Sequence, residues 1–95
     1  MLNILVTGSN GQVGSEIREL SKDYSYTFFF TDRTNIDITS KDSIKSFCEK
    51  NSINVIINCA AYTAVDKAET DIENADLINR KAVKKLAIIS EELDI

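Results

Sequence analysis

The chain has 95 residues, of which 43% are hydrophobic and 27% are charged, and its net charge is −4. These values are typical of one small globular domain and argue against a disordered or membrane-embedded chain. An acidic chain lacks the basic face that a nucleic-acid backbone or an anionic membrane requires, so we expect neither as a partner. No apolar run is long enough to span a bilayer and no signal peptide is visible, so we expect a cytoplasmic location.

The residue types that are missing or sparse restrict the chemistry further. There is no histidine, which excludes imidazole bases, Ser-His-Asp arrangements and His-ligated metal sites. Cys48 and Cys59 have neither metal-ligand nor redox-motif spacing, so we interpret them as small buried side chains and predict no metal site.

The hydrophobic pattern predicts strands that alternate with helices. In chain order these are a strand Leu2–Thr7, a helix with apolar positions Val13, Ile17 and Leu20, a strand Thr27–Asp32, a helix with Ile44, Phe47 and Cys48 behind the N-cap candidates Thr39 and Ser40, a strand Val55–Ala60, and a helix from about Thr70. The three strand runs are nearly continuous in apolar or β-branched residues, as in strands buried on both faces. The order predicts an α/β fold of the Rossmann type, with a doubly wound parallel sheet and right-handed crossovers.

The last predicted helix has a clear start signal and a regular apolar stripe. Residues 70–73 read Thr-Asp-Ile-Glu, which fits a capping box. The positions that keep the helical spacing are Ala75, Ile78, Ala82, Leu86, Ile89 and Leu93.

The expected strand order follows from the Rossmann pattern. We expect the three strands to lie in the spatial order 3-2-1, with Leu2–Thr7 on the side that a fourth strand would join. On that arrangement the edge of Leu2–Thr7 and part of the stripe at Ala82, Leu86 and Ile89 would be uncovered. We therefore expect these 95 residues alone to self-associate or to fold poorly.

All three glycines of the chain lie between the first strand and the first helix, at Gly8, Gly11 and Gly14. Gly8 permits a tight exit from the strand, Gly11 lets a pyrophosphate approach the backbone, and Gly14 lets the helix pack close to the strand. The N-terminus of the helix offers free N–H groups to phosphates. The first spacing departs from Gly-x-Gly-x-x-Gly, but a turn that needs only a positive φ needs one glycine rather than three. The motif favours dinucleotide binding.

An acidic residue follows the second strand at the expected distance. Asp32 lies 18 residues beyond Gly14, close to where a ribose-binding carboxylate occurs in such folds. A turn or helix-cap aspartate is the alternative. Arg33 could pair with a 2′-phosphate, so NADH and NADPH both remain open as cofactors.

The motifs together resemble a known family. Thr-Gly-x-x-Gly-x-x-Gly at 7–14 resembles the extended short-chain dehydrogenase/reductase superfamily. The run 57–69, Ile-Asn-Cys-Ala-Ala-Tyr-Thr-Ala-Val-Asp-Lys-Ala-Glu, resembles its dTDP-4-dehydrorhamnose reductase branch, as do Asp32-Arg33 and Asp37-Ile38-Thr39. The resemblance covers residues 1–95 and implies the N-terminal part of an NAD(P)-binding Rossmann domain.

The resemblance also implies roles for individual positions. The resemblance implies that the cofactor-binding residues include Gly8 and Gly14 and that the pyrophosphate contacts Gly11, Gln12 and Val13. It implies that the adenosine ribose lies at Asp32 and Arg33 and that the adenine lies beside Asp37 and Ile38. After the third strand, the residues implied to line the cofactor are Ala60, Ala61, Tyr62 and Thr63. Asp37 could equally be a helix-initiating carboxylate. Asn79 could be a satisfied buried amide or a residue near the nicotinamide.

The activity that the resemblance implies is hydride transfer to the keto carbon of a nucleotide-activated 4-keto-6-deoxysugar. The catalytic Tyr-x-x-x-Lys motif is not found here. The residues four positions after Tyr24, Tyr26 and Tyr62 are Phe28, Phe30 and Asp66, and none of them is lysine. No catalytic residue is assigned in this chain. A non-catalytic dinucleotide-binding subunit, such as the methionine adenosyltransferase β subunit, and a nucleotide-sugar epimerase are the alternatives. A homo-oligomer is left open.

Overall fold

The computed structural model describes residues 2–59 and 77–95, with the backbone alone for residues 77–79. In the described part, three parallel strands form one sheet: β1 Asn3–Thr7, β2 Thr27–Phe30 and β3 Val55–Asn58. The predicted parallel α/β sheet is confirmed, and each strand is one or two residues shorter than its apolar run.

Helices separate the strands. Helix α1 spans Gln12–Leu20 and continues into a short 3₁₀ turn, and α2 spans Lys41–Lys50. Ser40 is the N-cap of α2, as predicted, and its hydroxyl accepts a hydrogen bond from the Ser43 amide at 3.3 Å. Helix α3 spans Val83–Leu93 and follows a π-helical segment at Leu77–Ala82. The predicted start near Thr70 lies outside the described residues.

The strand order is β2-β1-β3, so the predicted order 3-2-1 is wrong. Strand β1 pairs with β2 on one side and with β3 on the other, and Leu5 lies opposite both Phe29 and Ile56. The predicted bare edge of β1 therefore does not exist, because β3 occupies it. The composition of β1 fits this central place, since Ile4, Leu5 and Val6 are all buried to 6% exposure or less.

The main core lies on the face of the sheet that carries Leu5. Helices α2 and α3 pack there against each other and against the sheet; the buried side chains are Leu5, Ile36, Ile38, Ile44, Cys48, Ile53, Ala82, Leu86 and Ile89. The stripe at Ala82, Leu86 and Ile89, predicted to be partly uncovered, is instead buried. Cys48 is buried as predicted, whereas Cys59 is half-buried.

Helix α1 lies over the opposite face of the sheet. Its side chains Ile17 and Leu20 share an open apolar hollow with Ile4 and Phe28, and the Arg18 guanidinium lies 4.4 Å from the centre of the Phe30 ring. These contacts hold α1 across the first two strands, with its N-terminus at their carboxyl ends. None of the helices in the described part is long and apolar enough to cross a membrane.

Candidate dinucleotide-binding site

The turn between β1 and α1 has the conformation for which its first glycine is suited. Gly8 has φ 61°, in the left-handed region that other residues rarely adopt. Its carbonyl accepts a hydrogen bond from the Gly11 amide at 3.3 Å, which closes the turn. The chain thus reverses within a few residues, and α1 begins at the carboxyl edge of the sheet.

The other two glycines have different surroundings. A Cβ on Gly14 would lie 2.5 Å from Ser9 Cα, inside the backbone of the turn, so only glycine fits there. A Cβ on Gly11 would meet nothing nearer than the Gly8 carbonyl oxygen, at 3.7 Å. The close approach at Gly14 is to Ser9 in the turn and not to the strand, where it was predicted. Gly11 leaves open space in front of the turn.

The N-terminus of α1 is suited to an anion. Its N-cap, Gly11, has no side chain with which to satisfy the first N–H groups of the helix, and its first turn has no acidic residue. Gln12 and Val13 are exposed there. Free N–H groups and the partial positive charge of the helix end together attract phosphate oxygens. The open space at Gly11 and this uncapped helix end fit a pyrophosphate.

Two successive residues of the turn are bonded to two successive residues after β2. The Ser9 amide donates to the Thr31 carbonyl at 3.0 Å, and the Asn10 side-chain Nδ2 donates to Asp32 Oδ2 at 2.8 Å. Thr31 is itself buried and bonded to the Val6 carbonyl through its amide and its hydroxyl, each at 2.9 Å. The structure therefore brings the glycine turn and Asp32 together at the carboxyl edge of the sheet.

Asp32 is held as an anion by its neighbours. Its Oδ1 accepts hydrogen bonds from the Thr34 hydroxyl at 2.6 Å and the Thr34 amide at 2.8 Å. The Thr34 hydroxyl, then the Thr34 amide, then Asn10 lower the pKa of the Asp32 carboxyl below its ordinary value. Arg33 beside it is exposed. A partly exposed carboxylate and an exposed guanidinium thus lie next to each other at the end of β2.

Asp37 makes the same local arrangement five residues later. Its Oδ1 accepts from the Thr39 amide at 2.9 Å and from the Thr39 hydroxyl, and these bonds lower its pKa. Its own amide donates to the Ser43 hydroxyl at 3.0 Å, and Lys85 of α3 donates to the Thr39 carbonyl at 2.6 Å. Asp37 thereby orders the loop that leads into α2.

Ile38 has its side chain in the main core, with 9% exposure. The four positions after the third strand, Ala60, Ala61, Tyr62 and Thr63, and the side chain of Asn79 lie outside the described residues. The end of β3 is anchored, because the Thr7 hydroxyl donates to Asn58 Oδ1 at 2.6 Å and the Cys59 amide donates to the Thr7 carbonyl at 3.0 Å.

Several residues of this edge were not singled out by sequence reasoning, above all Asn10 and Thr34. One signal was present, because Asp-x-Thr occurs twice, at 32–34 and 37–39, and this spacing is suited to a carboxylate that bonds the amide and hydroxyl two residues later. For Asn10 there was no comparable signal. Among the residues that the structure describes, no group of three carboxylate or thiolate side chains could hold a metal ion.

Comparison with known proteins identifies relatives along nearly the whole chain. A family model described as the RmlD substrate binding domain matches residues 2–95. The dTDP-4-dehydrorhamnose reductase of Aggregatibacter actinomycetemcomitans is 40% identical over 88 residues, which are 92% of this chain and 30% of that protein. The chain thus spans about a third or less of the length of the relatives it matches.

Solved structures agree with the fold. The dTDP-4-dehydrorhamnose reductase of Clostridium acetobutylicum is 39% identical, with a TM-score of 0.89 over 97% of this chain and 33% of that one. The Bacillus anthracis enzyme, solved in complex with NADP, is 30% identical with a TM-score of 0.89, over 99% and 34% of the two chains. A UDP-glucose 4-epimerase of Stenotrophomonas maltophila is 14% identical, with a TM-score of 0.90 over 100% of this chain and 35% of that one. This likeness shows the Rossmann-type fold alone.

Proposed function

The chain belongs to the family of the RmlD substrate binding domain, and from that membership we propose that it forms the dinucleotide-binding part of an NAD(P)H-dependent dTDP-4-dehydrorhamnose reductase. The reaction would reduce the 4-keto group of dTDP-4-dehydro-L-rhamnose to give dTDP-L-rhamnose. Residues 1–95 would be the N-terminal part of the Rossmann domain, and the nucleotide sugar and the Tyr-x-x-x-Lys motif would bind and act in the rest of the full-length protein.

The observation that carries the proposal is the geometry of the glycine turn. Gly8 reverses the chain, Gly14 seats α1 against Ser9, and Gly11 keeps the space in front of the helix end open. A pyrophosphate there would accept hydrogen bonds from the N–H groups of the first turn of α1, including Gln12 and Val13. When bound, the cofactor supplies the hydride, and this part of the chain binds and orients it.

The adenosine half of the cofactor would lie on the β2 side of the turn. Asp32, bonded to the turn through Asn10, is proposed to meet the ribose, with exposed Arg33 beside it. Asp37 and Ile38 would lie beside the adenine; because the Ile38 side chain is in the core, its contact would be through the backbone. Ala60, Ala61, Tyr62 and Thr63 are proposed to line the cofactor further along. NADH and NADPH are both candidates, and a solved relative is a complex with NADP.

Binding of the dinucleotide is tested by filling the space at Gly11. Gly11→Val suits the backbone, since φ −80° and ψ 177° are extended values that valine adopts readily. In the full-length protein we expect this variant to fold and to bind NADH and NADPH at least tenfold more weakly, a loss of the order of one or two charge-assisted hydrogen bonds. Fluorescence titration measures both affinities. Ser46→Val, which adds bulk at an exposed position of α2, is the control.

Unchanged affinity in Gly11→Val would contradict the assignment of this turn. The binding titration does not separate a reductase from a non-catalytic subunit or an epimerase, since each binds a dinucleotide. Incubation of the full-length protein with dTDP-4-dehydro-L-rhamnose and reduced cofactor distinguishes these three functions. Only the reductase consumes reduced cofactor in proportion to the dTDP-L-rhamnose formed. Tight cofactor binding without that turnover would favour the non-catalytic subunit.

A further inference from the structure

Asn10 makes a contact whose effect on the choice between NADH and NADPH the proposed function leaves open. It lies in the middle of the glycine turn, and its Nδ2 donates a 2.8 Å hydrogen bond to Asp32 Oδ2 across 22 residues of sequence. Asn10 is exposed, so this bond is not required to satisfy a buried amide. The bond fixes the orientation of a carboxylate that lies beside the proposed cofactor site.

The hydrogen bonds at Asp32 differ between its two oxygens. A carboxylate offers two acceptor sites on each oxygen. Oδ1 uses both, for the Thr34 amide and the Thr34 hydroxyl, whereas Oδ2 uses one, for Asn10. The remaining acceptor site of Oδ2 has no protein partner in the described part of the chain. It lies on the oxygen that is turned toward the glycine turn, where the dinucleotide would lie.

That single acceptor site suits one donor. A ribose 2′-hydroxyl can donate to Oδ2, whereas an ionised 2′-phosphate brings no proton and is repelled by the carboxylate. The discrimination depends on the direction in which Oδ2 points. Among the described residues, Thr34 bonds to Oδ1 and Asn10 bonds to Oδ2, so Asn10 adds the restraint on the side of the turn.

On the proposed function as its basis, we propose that Asn10 is a positioning residue that directs the Asp32 carboxylate at the 2′-position of the adenosine ribose and thereby sets the preference for NADH over NADPH. Asn10 acts through Asp32. Its removal leaves the carboxylate held by Thr34 alone, so that the whole group turns more freely about the Cβ–Cγ bond. This weakens the bond from Oδ2 to a 2′-hydroxyl and relieves the repulsion of a 2′-phosphate.

The turn itself does not depend on Asn10. The backbone bond from Ser9 to Thr31 and the packing of Gly14 on Ser9 remain when the Asn10 side chain is shortened. Asn10→Ala should therefore fold, and its effect should appear in the ratio of the two affinities. Loss of stability alone would weaken both cofactors equally and leave that ratio unchanged.

The experiment compares Kd for NADH and NADPH in the full-length protein and its variants by fluorescence titration. In Asn10→Ala we expect the ratio of Kd for NADH to Kd for NADPH to rise about tenfold, as for one hydrogen bond to a charged group. The control is Asn54→Ala, which removes an exposed asparagine whose Oδ1 accepts a bond of the same 2.8 Å length from the Asn3 amide, at the opposite end of the sheet. Its ratio should equal that of the wild type.

A double-mutant cycle tests whether Asn10 acts through Asp32. In an Asp32→Ala background, Asn10→Ala should change the ratio no further, because the group that it positions is gone. An unchanged ratio in the single variant, or an equal shift with and without Asp32, would overturn the positioning role while leaving dinucleotide binding intact. A wild-type protein that binds neither cofactor would overturn the proposed function as well.

Discussion

Gly14 and Gly11 lie three residues apart, and the cost of adding a methyl group differs between them. At Gly14 the Cβ would lie 2.5 Å from Ser9 Cα and 2.6 Å from its carbonyl oxygen, both backbone atoms. We expect Gly14→Ala to lower the free energy of unfolding by about 2 kcal/mol or more, because the backbone atoms of Ser9 cannot move away from the added methyl group without distorting the turn. Gly11→Ala, with 3.7 Å of clearance, should cost about 1 kcal/mol at most. Urea unfolding of the full-length protein measures both, and equal midpoints would contradict the packing argument.

The two Asp-x-Thr turns make a prediction about protonation. Each threonine contributes the largest effect that lowers the pKa of its aspartate below the ordinary value of 3.8. We expect Thr34→Val to raise the pKa of Asp32 without moving that of Asp37, and Thr39→Val to do the reverse. NMR titration of the carboxyl carbons measures both pKa values, and each variant is the control for the other. An Asp32 pKa unaffected by Thr34→Val would show that the turn does not hold the charge.

The same shifts fix the sign of a stability effect. A carboxyl whose pKa is lower in the folded protein than in the unfolded one stabilises the fold above its unfolded pKa. That contribution is complete well above the unfolded pKa of 3.8 and disappears as the pH falls through the folded pKa, which lies lower for both Asp32 and Asp37. Replacing either threonine by valine should therefore weaken the protein near neutral pH more than at strongly acid pH.

Helix α2 offers an element-scale prediction, because its N-cap is a single side chain. The Ser40 hydroxyl accepts from the Ser43 amide and satisfies one of the free N–H groups at the start of the helix. We expect Ser40→Ala to lower the free energy of unfolding by about 1 kcal/mol. Ser46→Ala, at an exposed position inside the same helix, removes the same hydroxyl without a cap and should be neutral or slightly stabilising. A chemical denaturation series distinguishes them, and equal losses would count against the cap.

Local elements could be predicted from the sequence better than their arrangement. The strands and the start of α2 follow from apolar runs and a capping serine, which act within a few residues. The order of the strands did not follow, because the crossover rule sets the hand of a connection and not which side of β1 the third strand joins. The near-complete burial of Ile4, Leu5 and Val6 reflects the central place of β1, but the apolar run of β1 does not differ from those of the other two strands.

The candidate site, too, could be predicted from the sequence only in part. The glycines and Asp32 could be found because backbone conformation and charge restrict residue types at those places. Asn10 could not, because its bond to Asp32 joins residues 22 apart and depends on how the turn lies against the end of β2. Such a contact is a property of tertiary structure, and no local pattern in the chain encodes it.

At the scale of the whole molecule, the central position of β1 joins the core to the site. One face of β1 supplies Leu5 to the core with α2 and α3, and its carboxyl end carries the glycine turn. Side chains from both neighbouring strand ends bond to it there, Thr31 to the Val6 carbonyl and Asn58 to Thr7. The geometry of the turn is therefore supported by the most buried strand of the described part of the chain.

This arrangement predicts how the backbone exchanges its amide hydrogens. Because β1 is paired on both sides, the amides of Leu5 and Val6 should exchange only on global unfolding, with an exchange free energy equal to that from urea denaturation. The amide of Tyr26, an exposed residue just before β2, should exchange far faster. Ser40→Ala should speed exchange at Leu5 and Val6 about fivefold, the factor that corresponds to its expected loss of about 1 kcal/mol. Mass spectrometry or NMR on the full-length protein gives these rates. If Leu5 and Val6 exchanged as fast as Tyr26, β1 would be a frayed edge, and a glycine turn carried on such an edge could not hold the fixed position that the proposed cofactor site requires.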